Sequence, residues 1–150
     1  MNRFKFRLEK VLNLTLSREK QAEAELAEAR RREEDEKRRL LEIEKNIIKV
    51  LAGARELERR PASVTEIKKY RDFLKKLNGD RELQRQAVER AAEVTARKLA
   101  ALLEVRKKRK TLENLRDRRE ADYRRQSLAE EQKVLDEVGG QAAGRRRTSA

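Results

Sequence analysis

The abundant chemistry-bearing groups of this chain are carboxylates and cations: 28 Asp/Glu and 41 Lys/Arg among 150 residues, with no His and no Cys. That inventory lacks the commonest general base, any thiolate nucleophile and the usual zinc ligands. The five glycines, at 53, 79, 139, 140 and 144, fall in no phosphate-cradling spacing. The carboxylates alternate with Lys and Arg, a pattern of solvated helix faces without a pocket to tune them. An enzyme is therefore not expected, and neither is a bound metal or cofactor. What remains is docking chemistry: cationic clusters for an acidic partner, and aromatic side chains for an apolar one.

The cations are uneven. Residues 97–125 hold twelve Lys/Arg against five Asp/Glu, residues 1–10 hold four against one, and Arg145, Arg146 and Arg147 follow near the end. A run such as RKKRK at 106–110 is either a solvated helix face or part of a docking surface. Nucleic acid is the usual partner of such a patch. Here Glu104, Glu113, Asp117, Glu120 and Asp122 interleave with the basic runs and no aromatic platform accompanies them, which argues against nucleic acid. The apolar candidate is Tyr70, Phe73, Leu74 and Leu77, which hold two of the chain's five aromatics within eight residues. Phe73 either widens a core or serves as an exposed anchor for a partner.

Long helices must position these groups. From Leu8, alternate steps of four and three reach Leu12, Thr15, Glu19, Ala22, Leu26, Ala29, Glu33, Glu36, Leu40, Ile43, Ile47, Val50, Ala54 and Leu57. Eleven of these fifteen positions are apolar. A period of 3.5 marks a helix that supercoils around another. Glu33 and Glu36 predict poorer packing between Ala29 and Leu40. With 46% charged and 3% aromatic residues, the chain fills a narrow seam rather than a globular core. Pro61 ends the first helix, and Ser63 with Glu66 forms a capping box that opens the second. The pattern predicts helices over about 3–59 and 64–138, a turn at about 60–63, and a flexible basic tail over 139–150. Asn78-Gly79-Asp80 is either a tolerated glycine within the helix or a break at 78–80. In the second helix Ile67, Tyr70, Leu74, Leu77, Val88, Ala91, Leu102, Val105, Leu112 and Tyr123 fit one 3.5 repeat, interrupted by Thr95, Lys98 and Arg109.

A link this short makes the helices antiparallel neighbours. The fold class is all-α, an antiparallel two-helix coiled coil spanning residues 1–138. Its open end gathers the basic groups, and its closed end carries Phe73. No apolar run of 18 residues exists, so no membrane insertion is expected. The N-terminus lacks the apolar block of a signal peptide.

The opening FKFRLEKVL at 4–12 resembles the start of the FliJ family of the bacterial flagellar export apparatus. So does the spacing of Glu19, Ala22, Leu26 and Ala29. Tyr70-x-x-Phe73-Leu74-x-x-Leu77 is similar to that family's segment after the hairpin. Lys110-x-Leu112-Glu113-x-Leu115-x-x-Arg118, Tyr123 and Glu131-x-x-x-Leu135-Asp136-Glu137 look like its C-terminal pattern, while the GGQAAGRRR tail departs from the family's ending. The resemblance implies a coiled coil like the gamma stalk of rotary ATP synthases. It implies binding at the centre of the hexameric export ATPase FliI, promotion of its assembly, contact with the export gate FlhA and association with export chaperones. It also implies a cytoplasmic protein held peripherally at the inner face of the membrane at the flagellar base. Tyr70, Phe73 and Leu77 would then meet the gate. For the ATPase, charge and location single out Arg7, Lys10, Arg118 and Arg119. The competing readings are a generic coiled-coil adaptor or homodimer, and a basic coiled coil associated with nucleic acid.

Overall fold

The computed structural model describes residues 3–148. Met1, Asn2 and the final two residues of the expected tail, Ser149 and Ala150, lie outside them. Two helices account for the fold, α1 (Glu9–Glu58) and α2 (Val64–Thr148), and no strand occurs among the described residues. They pack against each other in antiparallel order, and the chain divides into two compact units. Unit 1 is Met1–Arg18 with Val105–Ala150, and unit 2 is Glu19–Glu104.

The heptad is realised throughout α1 and its lead-in: none of the fifteen seam positions is exposed. Polar seam residues are satisfied locally. Thr15 Oγ1 donates to the Val11 carbonyl at 2.8 Å, Thr95 Oγ1 to that of Ala91 at 3.1 Å, and Arg109 pairs with Glu113 at 3.0 Å. Thr95, Lys98 and Arg109 thus stay half-buried without breaking the helix.

Unit 2 contains the turn. Beyond Glu58 the amides of Arg59 and Arg60 reach back three residues to Glu56 and Leu57, tightening the last turn. Pro61 then stops the helix. The Glu66 amide donates to Ser63 Oγ at 3.2 Å, the expected cap on α2. Ser63→Ala removes this acceptor and is expected to cost about 1 kcal/mol in chemical denaturation. The seam is polar where Glu36 Oε2 accepts from Gln84, which also donates to the Glu36 carbonyl at 2.9 Å. Beside it Ala29, Ala87 and Ala91 leave a shallow groove of about 320 Å³, the poorly filled stretch that Glu33 and Glu36 predicted. Helix α2 runs unbroken through Asn78-Gly79-Asp80 with no positive φ, so Gly79 is the tolerated glycine. Ile67, expected in the seam, is exposed at the start of α2.

Unit 1 departs from expectation at both termini. Helix α1 begins at Glu9, not residue 3; the Glu9 amide donates to the Phe6 carbonyl at 3.1 Å. The cause is aromatic packing. Phe6 is buried, and the Phe4 ring lies 5.6 Å from that of Tyr123. Residues i and i+2 share a face only in extended chain, since in a helix they point in nearly opposite directions. Burying Phe4 and Phe6 together therefore excludes helix there. The facing partners Glu9–Arg116, at 3.8 Å, and Phe4–Tyr123 have residue numbers that add to 125 and 127. The rise follows because an extended residue advances about twice as far as a helical one.

At the other terminus the expected tail is helical: α2 continues through Gly139, Gly140 and Gly144 to Thr148. None of these glycines has a positive φ. Each costs about 1 kcal/mol relative to Ala. Arg145, Arg146 and Arg147 in the last turn oppose the negative end of the helix dipole.

Candidate functional site

Two surfaces carry the docking chemistry, one in each unit. In unit 2, Tyr70 is half-buried and lies flat against α1. A Cβ on Gly53 would sit 3.0 Å from Tyr70 Cε1 and 3.1 Å from its hydroxyl oxygen, so the missing side chain is what lets the ring approach. Gly53 was not singled out by the sequence pattern, because its neighbour comes seventeen residues later. Phe73 follows one helical turn after Tyr70 and is 49% exposed. With Lys49, Val50, Lys69 and Tyr70 it lines an open groove of about 540 Å³. Leu77 is only 8% exposed: it belongs to the seam, and of the three expected contact residues it presents the least surface. The surface is thus one projecting aromatic, backed by a fixed tyrosine and flanked by two lysines.

Unit 1 carries nineteen Lys/Arg against nine Asp/Glu, a net of +10, leaving twenty-two against nineteen, a net of +3, for unit 2. Arg7 lies in the turn before α1, and Lys10 in its first turn. The pairing register of this unit puts Arg7 level with residues 118–120, which brings Arg118 and Arg119 opposite it. All four expected cations are exposed. Their neighbours are ion-paired: Arg116 with Glu9, Arg124 with Glu120 at 3.1 Å, and Arg125 with Asp122 at 2.6 Å. Among the described residues no ion pair engages Arg7, Lys10, Arg118 or Arg119. They form a cationic surface whose charge is not neutralised from within, suited to an acidic face of another protein. Among the described residues no group of three or more His, Cys, Asp or Glu could hold a metal, and no helix is long and apolar enough to cross a membrane.

A model of the family described as flagellar FliJ protein matches residues 4–148. The chain belongs to the flagellar FliJ family. That places it among components of the flagellar export apparatus, a group of structural and export proteins that are not known enzymes. The match takes in both surfaces, from Arg7 to Arg119, and the whole helical extension of α2. No curated protein and no solved structure matches the chain.

Proposed function

We propose that this FliJ-family chain is a non-enzymatic stalk of the flagellar export apparatus, binding the hexameric export ATPase FliI through unit 1 and the export gate FlhA through unit 2. The observation that carries this reading is the unpaired cationic surface of Arg7, Lys10, Arg118 and Arg119 in a family member. It sits where the first residues of the chain and the later part of α2 come together. The surface favours fast, oriented association with an acidic collar, and assembly of the ATPase ring follows if several ATPase subunits share one stalk. In the cell the protein then resides in the cytoplasm, gathered peripherally at the membrane by its partners, with export chaperones as further clients.

The direct test adds the purified protein to FliI and follows hexamer formation and ATP hydrolysis. Both rise on this reading; no change in either at excess protein removes it. For the gate, Phe73→Ala should weaken FlhA binding about tenfold, the loss of a single aromatic anchor. The thermal midpoint should stay nearly unchanged, because half of the ring is already in water. A large loss of thermal stability would instead make Phe73 a packing residue.

A further inference from the structure

Helix α2 runs from residue 128 to 147 with every residue exposed, and it includes three glycines. A helix of that composition is marginal in water without packing on an apolar face. Such a face exists. Leu128, Leu135, Val138 and Ala142 follow one another at steps of seven, three and four along one stripe of the helix. Leu128 is 64%, Leu135 65% and Val138 58% exposed. Two charges continue the same stripe: Glu131 between Leu128 and Leu135, and Arg146 four residues after Ala142.

We propose that this stripe pairs with the same stripe of a second copy of the chain, in antiparallel order about a two-fold axis between Val138 and Gly139. The charges select both the partner and the direction. In an antiparallel pair whose facing residue numbers add to 277, Leu135 meets Ala142 and Glu131 meets Arg146, each contact made twice by symmetry. A parallel in-register pair sets Glu131 against Glu131 and Arg146 against Arg146, which repels. The centre of the pair falls at Val138-Gly139-Gly140, and no atom lies within 4 Å of a Cβ built on either glycine, so the two backbones meet no obstruction there. The face is small, at the low end of specific interfaces, and corresponds to a dissociation constant of about 10 µM.

Sedimentation equilibrium on the full chain over about 1–200 µM tests this, with the rest of the fold as internal control. A monomer–dimer equilibrium is expected. Glu131→Arg alone and Arg146→Glu alone should each weaken it about tenfold, and the two together should restore it. Direction is read by disulfide trapping, since the chain contains no Cys. Mixing Leu135→Cys with Ala142→Cys should give the mixed disulfide in preference to either homodimer. A chain that stays monomeric throughout overturns the proposal, and loss of FliI binding by Leu135→Glu in that monomer would assign the stripe to the ATPase instead. A dimer indifferent to both charge reversals, or one trapped as 135–135, also overturns it.

Discussion

The variant with Arg7, Lys10, Arg118 and Arg119 all replaced by Glu is expected to fold as the parent does and to lose its stimulation of the export ATPase. The four side chains are exposed and make no ion pair among the described residues, so their replacement removes no internal contact. Toward an acidic partner each reversal both deletes an attraction and adds a repulsion, worth about 0.7 kcal/mol at a solvated rim. Four together give about 3 kcal/mol, or about a hundredfold in affinity. The decisive control reverses four exposed cations of unit 2, Lys68, Lys75, Lys76 and Arg85, and so carries the same net charge. Circular dichroism should show equal helicity in both variants, and ATP hydrolysis should separate them. Equal loss in the two would mean that bulk charge, rather than this surface, governs the association. Because the contact is ionic, the parent's stimulation should also fall as salt is raised.

The largest effect on stability is expected from Leu12→Ala. Leu12 is 2% exposed, the most deeply buried large side chain among the described residues. Truncation removes about three buried carbons and leaves a cavity that two stiff helices cannot collapse into, a loss of about 3 kcal/mol. A coiled coil has few neighbouring layers to redistribute that loss, so unit 1 should melt before unit 2. Thermal unfolding followed by circular dichroism should therefore show an early phase absent from the parent, and ATPase stimulation should disappear over that phase. A midpoint within about 2 °C of the parent would show that the seam at Leu12 is supported by contacts outside the heptad.

The seam was legible because a period of 3.5 repeats often enough to survive four polar interruptions; Thr15, Glu19, Glu33 and Glu36 all keep their places. Pro61 and Ser63 marked the turn because their effects are local: a missing donor and a hydroxyl acceptor act within one helical turn. The segment before Glu9 was not legible as extended chain. Its two phenylalanines are too few to establish a period of two against the heptad that begins at Leu8, and Tyr123, which holds Phe4, is remote in sequence. The tail misled for the opposite reason: three glycines and three arginines read as breakers and solvated charge, while the arginines in fact stand where a helix end favours them. Of the candidate contacts, the four cations came from charge and position and are found exposed. Leu77 shows that the two lines of reading conflicted. The heptad put it in the seam, the likeness to the family put it at a partner, and the structure places it in the seam.

The paired register of the two helices also governs how such a chain can change in length through evolution. Losing one residue from α1 rotates everything beyond it by about 100° and turns the seam to solvent. Inherited insertions and deletions should therefore come as whole heptads, or as the threes and fours that a coiled coil absorbs by local winding. Within a unit, a heptad lost from α1 strands its partners on α2 unless a matching heptad is lost there as well. Related chains should differ in length by paired steps on the two sides of Pro61, while the segment after residue 127, which answers to nothing in α1, is left to drift alone.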